Sequence, residues 1–189
     1  MPDKVYTRRG DDGTTQLFFA GSERIPKNDL RPCAYGESDE AVSALGLARA
    51  HAGLEGQEDV AEIVLGLQRE LFVLNAELAT APDNWPRLTP GVSLVTQQMV
   101  DRLEEVIDGL TQRFEQPKDF IVPGNTILGA CLDHAARVVR RAERAAVALA
   151  AAEQVRPEAL RYLNRLADLV WVLARYSERS GPQPKPRPS

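Results

Sequence analysis

Between positions 60 and 78, apolar side chains recur three or four residues apart: Val60, Ile63, Val64, Leu67, Leu71, Leu74 and Leu78. That stagger keeps them on one face of an α-helix, which turns once every 3.6 residues. The same pattern returns elsewhere. In "ESDEAVSALGLARAHAG" Ser38 or Asp39 offers a cap, followed by Val42, Leu45 and Ala48 at helical spacing. Ser93 is the expected opening of a third helix that carries Met99, Leu103, Val106, Ile107 and Leu110. A fourth helix is predicted from about Thr126 to Ala152. A fifth runs from Pro157, a good first-turn residue, to about Glu178, with the stripe Leu160, Leu163, Leu166, Val170 and Leu173. Proline-rich stretches, "APDNWPRLTPG" and "EQPKDFIVPGN", separate these segments.

Five helices with short connections imply an all-α fold, an antiparallel five-helix bundle. With 189 residues, 43% of them hydrophobic, the chain can build one core. Residues 1–35 are rich in glycine and charge, with short β-type pieces. They read as an ordered loop arm of the same domain, with no helix. The bundle is expected over 36–179, and a disordered tail over 180–189, where "SGPQPKPRPS" ends the chain. Helices two and four carry apolar residues on more than one stripe, and alanine dominates the end of helix four. Both suggest close packing and burial against another subunit. No stretch approaches 18 apolar residues and the first residues lack an apolar core, so neither a membrane span nor a signal peptide is expected, and the expected location is cytoplasmic. Cys33 and Cys131 stand far apart and read as reduced thiols.

The net charge of −4 argues against nucleic acid as a partner. "RVVRRAER" (137–144) stands against that balance, with four arginines in eight residues. Arg140 and Arg144 share a helical face and Arg137 lies near the same stripe. Like charges on one face repel unless anions answer them. Asp133 and Glu143 could do so in part; a small anionic ligand is the alternative. In "YTRRGDDGTTQL", Gly10 and Gly13 flank two aspartates, with Thr7, Thr14 and Thr15 beside them. Backbone N–H groups and hydroxyls in such a turn can hold phosphate oxygens; the stretch also fits an ordinary hairpin turn, and it is not a P-loop. In "RIPKNDLR", Lys27 and Arg31 read as surface charges. Asp39 and Glu40 read as first-turn acids favoured by the helix dipole. Phe120 is either a core residue or an aromatic wall for a flat apolar ligand. Asn164 could orient a ligand. His51 and His134 have no second metal ligand at a matching spacing, so no metal site from protein side chains is expected.

Five stretches, "VYTRRGDDGTTQL", "YGESDEAVSALGLAR", "FIVPGN", "RRAER" and "YLNRLADLVWVLAR", occur in one order from about Val5 to Arg175. Together they resemble the PduO-type ATP:cob(I)alamin adenosyltransferases. That resemblance implies a five-helix bundle assembled as a homotrimer, with sites between adjacent subunits. It implies transfer of the 5′-deoxyadenosyl group of ATP to reduced cobalamin, giving adenosylcobalamin and triphosphate with Mg²⁺ assisting. By the same resemblance, Thr7, Arg8, Gly10, Gly13 and Thr15 wrap ATP, and Lys27 and Arg140 meet its phosphates. Asn164 contacts the nucleotide, and Phe120 lies beneath the corrin, where it favours four-coordinate cobalt. A reductase and an adenosylcobalamin-dependent acceptor enzyme are the implied partners. Cobalt(I) is already electron-rich, so no general base is needed. Catalysis then rests on positioning and on neutralising the departing triphosphate.

Three positions depart from the family pattern. Asn125 stands where a second glycine is usual, a mild change because asparagine tolerates left-handed backbone. Asp133 replaces a histidine. Ala136 occupies the place of an arginine that pairs with the acid matching Asp39 and helps hold the nucleotide. Arg137 follows one residue later, rotated by about 100° on the helix. Arg137 either compensates by a local adjustment or pairs with Asp133, and Arg144 is a candidate partner for Glu40. The alternative to an active transferase is a catalytically weak homologue that carries or senses ATP or adenosylcobalamin.

Overall fold

The structure, a computed structural model, describes residues 6–181. Its α-helices are α1 (Leu30–Leu54), α2 (Glu58–Leu78), α3 (Gln97–Thr111), α4 (Ile127–Ala152) and α5 (Pro157–Ser177), and a 3-10 helix spans Pro82–Arg87. The described chain is thus mostly helical, with six helices. One antiparallel ribbon accompanies them, pairing β1 (Thr14–Thr15) with β2 (Ile25–Pro26). Most of the predicted tail, residues 182–189, lies outside the described residues, as do Lys4 and Val5 of the first β-type piece.

The helix ends follow local chemistry. Thr126 caps α4 by accepting the Gly129 N–H at 2.9 Å, and Pro157 opens α5 where its missing N–H has no helical partner to lose. Two expected starts move. Thr96, not Ser93, caps α3; Ser93 instead accepts the Thr89 N–H within the preceding turn. α1 begins at Leu30 behind an Asp29 cap, so the last six residues of the predicted arm are helical. Pro32 and Gly36 disguised that start, yet a proline in the first turn costs a helix no hydrogen bond. Asp39 and Glu40 therefore sit in the third turn of α1, where first-turn dipole stabilisation does not reach them.

Cross-links between helices define the packing. α1 and α4 are antiparallel: Glu55 at the end of α1 accepts the Leu128 N–H, while Arg31 at its start binds Glu153. α4 and α5 are antiparallel too, tied by Arg140–Asp168 and Arg175–Asp133. Because α4 intervenes in sequence, α3 and α5 run parallel, linked by Arg161–Gln97 and Arg165–Glu104, with Phe114 beyond α3 edge-on to Tyr176. The expected all-antiparallel arrangement does not hold for that pair. α1 and α4 both bury small residues, Ala41 and Ala48 in α1 and Ala135, Ala136, Ala142 and Ala146 in α4, which suits a close approach of helix backbones. The α2 and α5 stripes fill the remaining core, with Leu71, Leu74, Leu163 and Leu166 fully buried.

Arg31 is not the surface charge its sequence context suggested. It is 2% exposed. Its guanidinium donates to the carbonyls of Leu78 (3.0 Å) and Thr80 (3.1 Å) and to Glu153 (3.0 Å from Nε), so it joins the ends of α2 and α4.

Candidate functional site

The N-terminal arm is an organised turn. Gly13 has φ +78°, and its N–H bonds the Gly10 carbonyl at 3.2 Å. Arg8 adopts φ +60°, a left-handed conformation that side chains other than glycine rarely take. Lys27, directly after β2, reaches back to donate to the Gly10 carbonyl at 2.8 Å. A side chain at Gly10 would crowd both Lys27 and the Thr14 carbonyl, the latter at 3.3 Å. The Thr14 backbone and side chain both donate to Asp12, which holds the Asp12 carboxyl below its ordinary pKa. The Thr7 hydroxyl accepts the Arg9 N–H. Arg24 binds the Thr14 hydroxyl (2.6 Å) and carbonyl (2.9 Å) and the Arg9 carbonyl (2.6 Å). Sequence reasoning passed over Arg24, because a lone arginine in "GSERIP" carries no signal that it will organise a hairpin ten residues away.

The second group of residues surrounds a cleft of about 1370 Å³ between the ends of the Phe120 loop, α3, α4 and α5. Phe120, Arg137 and Arg140 line it together with Asp168, Trp171 and Ile107. Phe120 is 86% exposed, which excludes the core-phenylalanine reading for the single chain. Arg140 binds Asp168 at 3.1 Å, with both side chains about two-fifths exposed. Arg137 is exposed, and no hydrogen bond or ion pair holds it among the described residues. Its expected partner Asp133 is instead buried and bound to Arg175. Next to the cleft, Asn164 donates to Glu143 at 2.8 Å, and Arg140, Glu143 and Arg144 line an adjoining depression. Asp168, Trp171 and Val172 went unnoticed in the sequence, although their offsets of four, seven and eight from Asn164 place them on its helical face.

Arg141 points the other way, toward α1, and binds Glu37 and Glu40, whose hydrogen bonds raise its pKa. It takes the Glu40 contact foreseen for Arg144. Ala136 is fully buried, and Asp39 is exposed, with no hydrogen bond or ion pair among the described residues. Asp39 thus escapes the penalty of an unpaired buried carboxylate. Within one chain, Arg8, Gly10, Gly13, Thr15 and Lys27 make no hydrogen bond or ion pair to Phe120, Arg140 or Asn164. The structure gathers most of the candidates into two groups, one on the arm and one on the α4–α5 face, while Asp39, on α1, belongs to neither.

Among the described residues no cluster of three His, Cys, Asp or Glu could hold a metal ion, and no helix is long and apolar enough to cross a membrane.

The sequence pattern of cobalamin adenosyltransferase matches residues 5–177. A corrinoid adenosyltransferase from Citrobacter freundii is 37% identical over 175 residues, covering 93% of this chain and 95% of its own. One from Mycobacterium tuberculosis is 38% identical over 183 residues, covering 94% of this chain and 90% of its own. The fold aligns with a PduO-type ATP:corrinoid adenosyltransferase variant from Lactobacillus reuteri complexed with cobalamin and ATP, at TM-score 0.83 and 34% identity, over 96% of this chain and 97% of that one. The chain belongs to the cobalamin adenosyltransferase family. It is an enzyme of the corrinoid adenosyltransferase class, as its five ordered motifs imply.

Proposed function

We propose that this protein transfers the 5′-deoxyadenosyl group of ATP to cob(I)alamin, forming a cobalt–carbon bond at ribose C5′ as the C5′–oxygen bond breaks and triphosphate leaves. The observation that carries the reading is the shared cleft, where an exposed apolar ring, Phe120, stands beside the cations Arg137 and Arg140. A corrinoid needs the first and a triphosphate the second. Arg140 can be recruited because its bond to Asp168 is half-exposed and worth only about 0–1 kcal/mol. A triphosphate offers more negative charge and bidentate geometry. Asn164 can exchange Glu143 for the nucleotide on the same terms. The ring of Phe120 fits the lower corrin face, where it would keep an axial ligand away and make cobalt(II) easier to reduce. Mg²⁺ accompanies the triphosphate.

The arm, with Thr7, Arg8, Gly10, Gly13, Thr15 and Lys27, is read as the second half of the nucleotide site. We infer that it meets the α4–α5 face of an adjacent subunit in a homotrimer. Three features support this reading: the two groups stay unjoined within one chain, Asp39 and Arg137 are exposed without partners among the described residues, and Leu47, Ile127 and Val147 are more than half exposed. Arg137 then takes over, across the interface, the pairing that Ala136 cannot make. Sedimentation of the purified protein tests the assembly, and a monomer would contradict it.

The activity is tested by following the visible spectrum of chemically reduced cob(I)alamin with the protein, ATP and Mg²⁺ in the absence of oxygen. Loss of the cob(I)alamin band with stoichiometric triphosphate release is the expected result. Binding of ATP and corrinoid without turnover would replace the reading with a carrier or sensor, for which the buried Ala136 is the one favouring observation.

A further inference from the structure

The last turn of α5 carries a buried charge cluster that the transfer reaction does not use. Arg175, Asp133 and Glu178 are 1%, 3% and 2% exposed. The Arg175 guanidinium binds Asp133 and lies 3.2 Å from the Glu178 carboxylate. The other oxygen of Glu178 accepts the backbone N–H of Thr126 at 3.2 Å. Thr126 is the cap of α4 and the residue on which the Phe120 loop ends. At the loop's other end Phe114 packs edge-on against Tyr176, with ring centroids 6.3 Å apart. Tyr176 is itself fixed by donating to Asp59 at 2.8 Å. Both ends of the segment that presents Phe120 are therefore fastened to Tyr176 and Glu178, two positions apart at the end of α5.

The sequence is shaped to admit this contact. A Cβ on Gly129 would overlap the Glu178 side chain, lying 2.5 Å from its Cδ and 2.8 Å from its Cγ. Only glycine leaves room for the carboxylate against the first turn of α4, where unpaired N–H groups and the helix dipole favour an anion. Glu55, from the end of α1, accepts the Leu128 N–H at the same helix end. Arg175 also stands 5.9 Å from the ring of Trp171, one turn earlier on α5, and Trp171 lines the same cleft as Phe120. A single buried arginine thus connects the anchor of the Phe120 loop to another residue of the cleft wall.

We propose that Glu178, held by Arg175, which is itself paired with Asp133, is a positioning residue for the corrinoid: it fixes where Phe120 stands relative to Trp171. This rests on the corrinoid reading of the cleft. Glu178 touches no substrate. Its loss should loosen the Phe120 loop and disturb the corrinoid while leaving nucleotide binding on Arg140 and Asn164 intact. Displacing a positioned group by about an ångström can cost on the order of 100-fold in rate.

The test uses Gly129→Ala, which evicts the carboxylate while favouring the helix, and Glu178→Gln, which keeps an acceptor for the Thr126 N–H. Three readouts are taken: hydrogen exchange of the Thr126 amide, KM for cob(I)alamin against KM for ATP, and melting temperature. For Gly129→Ala the expected result is faster exchange at Thr126, with kcat/KM for cob(I)alamin down about 10- to 100-fold and the ATP KM within about twofold of the unmodified protein. Glu178→Gln should stay within about threefold of the unmodified protein in every readout, because the acceptor is retained. Unchanged exchange at Thr126, or equal losses for ATP and corrinoid in a protein that melts normally, would overturn the proposal. If Gly129→Ala fails to fold, Glu178→Ala takes its place under the same criteria. Absence of turnover by the unmodified protein would instead refute the transferase reading, and the exchange measurement would still decide whether Glu178 anchors the loop.

Discussion

Arg31 and Arg175 on one side, and Arg137 and Arg140 on the other, are the same residue used in two opposite ways. The first pair is at most 2% exposed and surrounded by partners that span several helices. The second lies on an open cleft, where Arg140 has one half-exposed partner and Arg137 none among the described residues. A buried guanidinium held by carboxylates or carbonyls is committed, because releasing it leaves desolvated polar groups behind. A cation at a cleft wall with a weak partner can exchange that partner for a ligand at little cost. Burial and partner count, more than the presence of arginine, separate the residues that hold the bundle from those available to a triphosphate.

The largest effect expected from breaking this division is on stability. Arg31→Met should lower stability by about 3–4 kcal/mol, since the buried Leu78 carbonyl loses its donor, the Thr80 carbonyl keeps only Trp85, and the half-exposed Glu153 is left to water. Thermal denaturation would read this as a drop on the order of 10 °C; a smaller change than for Arg140→Ala would erase the distinction. Next comes Arg140→Ala, expected to melt normally but to lose about 100- to 1000-fold in kcat, the range for removing one charge-stabilising donor. Arg137→Ala should also leave the melting temperature alone and reduce kcat/KM about tenfold, about the 1.4 kcal/mol of one exposed charge-assisted contact. Unaltered turnover there would mean the enzyme needs no substitute for the arginine missing at Ala136.

The smallest effect sharpens the buried side of the comparison. Glu77 is 2% exposed, and burial raises its pKa against the opposing pull of the Val95 N–H and Arg156. A carboxyl whose folded pKa exceeds its unfolded value stabilises the native state fully below the unfolded pKa, and that contribution disappears as pH rises through the folded pKa. Glu77→Gln should therefore melt higher than the unmodified protein at pH 7, and the gain should shrink on acidification toward the glutamate range. A gain that grows on acidification would reverse the sign of the argument.

Much of the fold was legible because helical periodicity reports burial directly: six of the seven stripe positions in α2 are buried, Ile63 being the half-buried exception. The start of α1 was hidden by Pro32 and Gly36, whose usual meaning is a loop, although a first-turn proline fits a helix. Arg31 was misread for a different reason. Its partners lie 47, 49 and 122 residues away, beyond any local pattern. The same holds for the Arg175–Asp133–Glu178 cluster. At the candidate site, motif order pointed to Phe120, Arg140 and Asn164. Trp171 and Asp168 looked like ordinary helix residues until the packing of α3, α4 and α5 opened the cleft beside them.

Calorimetric titration of ATP with Mg²⁺ into Arg140→Ala, after a melting curve confirms an unchanged fold, tests most directly whether the open arginine serves the nucleotide. The account predicts a melting temperature equal to that of the unmodified protein and an affinity for ATP at least about tenfold weaker, one step of 1.4 kcal/mol. Full ATP affinity in a normally melting Arg140→Ala protein would contradict it.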